Sequence, residues 1–343
     1  MELDQLTTDD TAQAGPPESS AAPTGWRRAI GLGLGLAALV GVLVTAFAWP
    51  PAESSPRDVP VAVVGTAAAA DRLEQQLDDT MPGALDLRRA TSADDARALI
   101  EEREVYGAIV LGPSGPSRVL TASGAGPVVA QLLAGIADGL AEPASTSATV
   151  EDVVPLPDDD PRGATFTAAA LPMVLGGMIV GILMSFLVTG VWRRVAGALV
   201  AALAAGGVVT LIAQAWLGTL QGSAWANAGA VALIVAAISL TITGLVALLG
   251  PAGIGLGAVV MFLIGNSISG VSSAPELLPT GWGTLGQALP AGAGGTLLRS
   301  TSYFDGAAAG SPVLVLAAWA AGGLVLVALG RRVRPAAHHA LAG

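Results

Sequence analysis

Val195–Pro275, VAGALVAALAAGGVVTLIAQAWLGTLQGSAWANAGAVALIVAAISLTITGLVALLGPAGIGLGAVVMFLIGNSISGVSSAP, contains no Asp, Glu, Lys or Arg. Three membrane-length apolar stretches fit inside it. A charge at a bilayer centre costs about 2.5–3.5 kcal/mol even on the lenient insertion scale, so a run this long without one reads as a polytopic membrane domain. The same run holds no carboxylate or histidine for a proton relay, which disfavours a proton-coupled carrier.

The rest of the composition agrees. The 343 residues are 52% hydrophobic and only 12% charged, where a soluble domain carries about 25%. Gly occurs 45 times, and small residues let membrane helices approach closely. All 16 basic residues are Arg, which with the Ala and Gly excess reads as the habit of a GC-rich bacterial genome. The absence of Cys excludes disulfides and thiolate chemistry. A pI near 4.6 without a basic patch argues against a nucleic-acid partner.

Working outward, Ala29–Trp49 forms a first span behind Trp26-Arg27-Arg28. Ala46-Phe47-Ala48 imitates a signal-peptidase site, but the apolar run is long for a signal peptide and more spans follow, so it reads as an uncleaved anchor. Five further spans are expected at Phe166–Trp192, Val195–Leu217, Ala226–Leu249, Ala252–Ser269 and Val313–Leu329, with Gly250-Pro251 separating the third of these from the fourth. Arg27 and Arg28, Arg193 and Arg194, and Arg331, Arg332 and Arg334 all abut spans. Alternation puts the three clusters on one side, the cytoplasm by the positive-inside rule. The expected fold is therefore an α-helical polytopic membrane protein of six transmembrane helices. Both termini are cytoplasmic, and an extracytoplasmic α/β domain is inserted between helices 1 and 2. The expected divisions are a disordered tail (1–25), helix 1 (26–49), the α/β domain (50–163), a five-helix domain (164–330) with an outer re-entrant hairpin (271–311), and a cytosolic tail (331–343).

Within the insert, Val59-Pro-Val-Ala-Val-Val-Gly65 reads as a buried strand. It is followed by a helix (67–79), a strand (84–89), a helix opened by the capping-box-like Ser92-Ala-Asp-Asp95, strands at 105–111 and 117–122, a helix (128–141) and a last strand (150–156). Such an order gives a small layered α/β domain. Gly112-Pro-Ser-Gly-Pro and Gly124-Ala-Gly lack a phosphate-loop pattern and read as turns.

Few groups offer chemistry. Asp158-Asp-Asp160 lacks cation-loop spacing and reads as a solvated hinge, with Asp159 or Asp160 pairing Arg162. Asn266, Ser267 and Ser269, near the outer end of the fifth span, either line a path or bond helix to helix, and Gln214 has the same two readings. His338-His339 has no further ligand nearby and reads as solvent-exposed. No nucleophile set, paired catalytic carboxylates or nucleotide motif is present, so no enzyme activity, metal or cofactor is expected. The segment Val271–Ser311, with Pro275, Pro279 and Pro290, is too broken for a span and too apolar for a plain loop. It reads as a re-entrant or interfacial hairpin with Trp282 and Tyr303 at the interface.

This arrangement resembles the ABC-2-type permease superfamily, and within it the YhgE/Pip-like branch. The helix Asp94–Arg103 followed by Val105-Tyr-Gly-Ala-Ile-Val-Leu111 is similar to a stretch of that branch. Leu278-Pro279, Leu289-Pro290 and Leu298-Arg299 are similar to the family's outer segment before the last span. The resemblance implies a homodimeric transport subunit in the bacterial cytoplasmic membrane. It would export a hydrophobic or amphipathic substrate with a separate ATP-binding subunit, which Arg193 and Arg194 would contact. One departure is that the connection at Trp192-Arg193-Arg194 is too short for the family's cytosolic coupling helix. The competing expectation is a non-transporting membrane protein whose outer domain binds a protein, cell-wall or phage partner.

Overall fold

A computed structural model describes residues 25–112, 115–141 and 148–333. The N-terminal tail to residue 24, Arg334 and His338-His339 lie outside the described residues. The chain divides into two units, Met1–Val44 and Thr45–Gly343. The described part of the first is the leading stretch of α1 (Trp26–Ala52).

The α/β insert contains β1 (Val59–Val64), α2 (Ala67–Thr80), β2 (Leu85–Ala90), α3 (Ala93–Glu101), β3 (Gly107–Gly112), β4 (Gly115–Thr121), α4 (Pro127–Ala141) and β5 (Thr149–Asp152). The elements come in the predicted order, with ends shifted by a few residues. The sheet order is β2-β1-β3-β4-β5, with only the β3–β4 hairpin antiparallel. Strand alternation sorts the side chains into two cores. Val59, Val61, Val63, Ile109 and Val119 pack under α2 and α4, while Ala62, Ala108 and Leu120 pack against α3. Half of the capping box at α3 forms, the returning bond from Asp95 reaching Thr91, one residue before the N-cap Ser92. Ser92 Oγ accepts from Asp95 N at 3.0 Å, and the Asp95 carboxylate takes Thr91 N at 2.8 Å.

The apolar remainder is a helical bundle of α5 (Ala164–Leu187), α6 (Val191–Thr210) with a π-helical end (Leu211–Trp216), α7 (Ala224–Leu249) and α12 (Gly310–Val333). With α1, this makes five helices long and apolar enough to cross a membrane among the described residues. The expected fifth span differs. Its α8 (Ala252–Gly257), a π-helical stretch (Ala258–Ile264) and α9 (Gly265–Ser267) run on as one shorter apolar helix, Ala252–Ser267. At 1.5 Å per residue it reaches about 24 Å, short of the ~30 Å hydrocarbon core. The break between α5 and α6 falls at Val188–Gly190, so Arg193 and Arg194 occupy the first turn of α6 instead of a connection.

α7 is the hub. Sixteen of its 26 residues are buried, and α5, α6, α11 (Pro290–Tyr303) and α12 pack on it. Three Gly pairs govern the approach: Gly176-Gly177 in α5, Gly206-Gly207 in α6 and Gly322-Gly323 in α12. In each pair one member faces α7 and the other faces open space. A Cβ at Gly177 would sit 2.9 Å from Ile238 Cβ, one at Gly323 2.5 Å from the Leu240 carbonyl carbon, and one at Gly206 would collide with the Ala228 carbonyl; Gly176, Gly207 and Gly322 have nothing within 4 Å.

The acidic run preceding α5 also departs from expectation. Asp160 is buried and does not serve Arg162: its carboxylate accepts from Ala164 N at 2.8 Å, Thr165 N at 3.0 Å and Phe166 N at 3.2 Å. Three orphan donors of the first turn and the positive end of the helix dipole hold it there.

The Gly pairs give a matched test. Gly206→Ala and Gly323→Ala should each lower stability by about 1–3 kcal/mol through overpacking. Gly207→Ala and Gly322→Ala should be neutral or gain up to about 1 kcal/mol of helix propensity. Thermal unfolding of the purified protein in detergent, followed by monodispersity, reads the difference.

Candidate functional site

The site forms where the α/β insert meets the segment after α9. From Ser269 the chain runs through a 3-10 turn (Pro275–Leu277) and α10 (Trp282–Gln287) into α11. Ala274 and Leu277 complete the core beneath α2 and α4, and Phe304 completes the core on the α3 face. The insert is therefore packed on this segment through both of its apolar faces. Backbone bonds tie the seam: Ser55 N donates to Leu277 O and Arg57 N to Glu276 O, both at 3.1 Å. Arg57 reinforces it, its guanidinium donating to Leu278 O at 2.9 Å, Leu277 O at 3.3 Å and Glu53 O at 3.1 Å.

Between the two parts lies a cleft of about 690 Å³, lined among others by Arg57, Arg103, Tyr106, Glu276, Gln287 and Arg299. Arg103 follows α3 with φ 62°, the left-handed conformation that favours glycine. Its side chain crosses to α11. There it donates to Thr296 O at 3.0 Å and to Ser300 Oγ, and it lies 5.1 Å over the Phe304 ring. Burial, and secondarily the nearby Arg299 charge, lower its guanidinium pKa to about 10. Tyr106 donates its hydroxyl to Glu276 Oε2 at 2.7 Å. Burial first and the Glu276 carboxylate second push that phenol above its usual range, so it stays a neutral donor. Arg299 is only 6% exposed, donating to Val271 O at 3.3 Å and lying 4.8 Å over the Phe166 ring.

Of the residues singled out from sequence, Ser269, Pro279 and Arg299 line the cleft. Pro290 is buried at the first position of α11, where its missing N–H costs nothing. Asn266 borders a void of about 10 Å³, room for one water at most, and Ser267 Oγ is spent on Leu263 O at 2.5 Å. Gln214 lies elsewhere, in a separate polar chain. It donates to Gly222 O at 2.9 Å and accepts from Asn227 Nδ2 at 3.1 Å, while Asn227 Oδ1 accepts from Ser302 at 3.0 Å. Arg194 donates to Val188 O at 2.7 Å, and Arg193 is exposed. These polar groups do not assemble into one path; most tie helix ends together. Within segment 271–311, 12 of the 14 residues of α11 are buried. Tyr303 donates to Thr219 O at 2.8 Å and packs on Phe166. Trp282 stands edge-on to Trp49.

Arg57, Arg103, Tyr106, Glu276 and Gln287 escaped the sequence reading. Arg103 sits in Glu101-Glu102-Arg103-Glu104, which looks like a solvated charge run, and Tyr106 looks like a strand residue. The one local signal is that an Arg stands where a helix end favours Gly. No group of three or more potential metal ligands occurs among the described residues. Comparison with protein-family models, curated proteins and solved structures finds no match.

The Tyr106–Glu276 bond makes a clean cycle. Tyr106→Phe should cost about 2 kcal/mol, because it strands a half-buried carboxylate. Adding Glu276→Gln should recover part of that loss, a neutral amide being cheaper to leave unpaired. Hydrogen exchange at residues 57–64 and 274–278 should rise in the single variant and fall back in the double.

Proposed function

We propose that the chain is the permease-like membrane subunit of an exporter, with its α/β insert outside the cytoplasmic membrane and both termini inside. The observation that carries this reading is α11. It is a short, nearly wholly buried helix beside α7 that lines a polar cleft through Thr296 and Arg299 and is too short to span. Interrupted helices inside a membrane bundle are tolerated where neighbours or a water-filled cavity satisfy their ends, and such places are where carriers hold substrate. The cleft would then be the outer vestibule, roofed by the insert, for an amphipathic molecule. A homodimer and a separate ATP-binding subunit complete the proposal, since the sequence contains no nucleotide motif.

The topology has its own support in parity. The insert shares both its cores with residues 274–304, so both lie on one side, and an even number of crossings must separate Ala164 from Val271. α5, α6 and α7 supply three. Ala252–Ser267, though short, supplies the fourth and makes six spans in all. This also returns Arg27-Arg28, Arg193-Arg194 and Arg331-Arg332 to a common, cytoplasmic side.

A second reading, recognition without transport, draws on the inner face. The α5–α6 connection is only Val188–Gly190, too short for a helix that an ATPase could grip.

Two measurements test the proposal. With no native Cys, Arg72→Cys should react with an impermeant maleimide in intact cells and Arg193→Cys only after permeabilisation; the reverse pattern sinks the topology. Purification from native membranes in mild detergent should bring down a Walker-motif subunit with ATP hydrolysis. A homo-oligomer with no ATPase would overturn the exporter reading and leave recognition.

A further inference from the structure

Three arginines line the cleft, Arg57, Arg103 and Arg299, and among the described residues none is paired with a carboxylate; Arg57 is spent on backbone carbonyls, which leaves Arg103 and Arg299. Among the described residues no Asp or Glu oxygen lies within 4.0 Å of Arg103 or Arg299. The ion pairs found, Arg88–Asp86, Arg89 with Asp71 and Glu74, and Arg97 and Arg118 with Glu151, all lie on the insert's own surface. The chain has 26 acidic residues against 16 basic, so the deficit at this spot does not come from a shortage of acids. The nearest candidate, Glu276, is taken by the Tyr106 hydroxyl. The other two carboxylates of the cleft, Asp58 and Glu104, are exposed.

Burying a guanidinium is costly unless its charge is met. Arg299 has five N–H donors, and the one acceptor it engages among the described residues is the Val271 carbonyl, a neutral group. Among the described residues Arg103 meets a carbonyl, a hydroxyl and a ring. Both guanidinia border the same cavity, one from α11 and one from the end of α3. Arg103 feels the like charge of Arg299 more than the opposite charge of Glu276, and an anion between the two arginines would relieve it.

We propose that this cleft binds a phosphate-ester group, held between Arg103 and Arg299. A tetrahedral phosphoryl group has oxygens enough to give each arginine its own pair of acceptors, whereas a carboxylate must share its two oxygens between them. The volume, about 690 Å³, exceeds what a phosphate needs and falls within the usual range for organic ligands. Val105, Leu278 and Pro279 in the wall suit the ligand's apolar part. The group would come from a phospholipid headgroup or from a soluble phosphate ester; the chemistry is the same. The inference needs only the cleft and is independent of whether the chain transports.

The test uses the full chain in a phosphate-free maltoside detergent, titrated calorimetrically with glycerol 1-phosphate and, separately, with dihexanoyl phosphatidylglycerol. Saturable 1:1 binding of at least one probe is expected. Arg103→Gln and Arg299→Gln should each weaken it tenfold or more, and Arg89→Gln, whose partners Asp71 and Glu74 lie outside the cleft, should leave it unchanged. Binding of glycerol phosphate points to a soluble ester; binding of the lipid alone points to a headgroup. Monodispersity and helical circular dichroism establish folding, and if the deeply buried Arg299 variant does not fold, Arg103→Gln decides. No saturable binding of either probe, or binding indifferent to the substitutions that fold, overturns the site.

Discussion

The fold depends on how closely other helices can approach α7. In an apolar surrounding the hydrophobic effect offers little net drive between helices, so van der Waals contact and a few internal hydrogen bonds must hold them together. Gly177, Gly206 and Gly323 let three neighbours lay backbone against α7. The hydroxyls of α7 then find acceptors at short range. Thr243 bonds Ser239 O at 2.8 Å and reaches Gly181 O at 3.4 Å, and Thr241 bonds Ala237 O at 2.7 Å and Trp319 O at 3.1 Å. Close approach and polar satisfaction are the same geometric fact here, because a Cβ at Gly181 would collide with Ser239 O and Ile242.

That hub also fixes the cleft. α11 rests on α7 along a small-residue face, where Gly294 meets Ile234, and Asn227 near the N-terminus of α7 bonds Ser302. Arg103 and Arg299 both depend on α11: one donates to its Thr296 carbonyl and the other is borne on it. The insert in turn borrows Ala274, Leu277 and Phe304 for its two cores. The chain of dependence therefore runs from helix packing to α11, from α11 to the cleft, and from the segment around it to the insert.

Legibility in the sequence followed locality. The insert's strands and helices announce themselves because alternation and capping are local signals; Ser92 caps α3 as its spacing implies. The apolar runs were legible for the same reason. What could not be read was which side of each Gly pair faces a partner, since both members look alike until α7 is placed. Asp160 looked solvated because its three donors belong to a helix that begins only at Ala164. The site was the least legible part. Arg103 and Arg299 are 196 positions apart, and nothing local to either one points to the other. The fifth span's length was overread because its apolarity continues past Ser267, where the helix stops.

Arg103 shows most directly how the two halves differ in kind. A left-handed non-glycine residue costs about 1–2 kcal/mol, and lowering a guanidinium pKa to about 10 reflects further desolvation. Its neighbour Arg57 is also held in the cleft, yet it collects carbonyls of both chain segments and acts as a clamp. Clamping alone therefore does not need Arg103: the carbonyls of residues 277 and 278 already serve one arginine, and the Thr296 carbonyl would accept from a smaller donor. A residue that is strained in its backbone, desolvated in its head and set facing a second cation is poorly explained by stability. Strain and a charge without an ion-pair partner among the described residues are what the proposed anion site would account for.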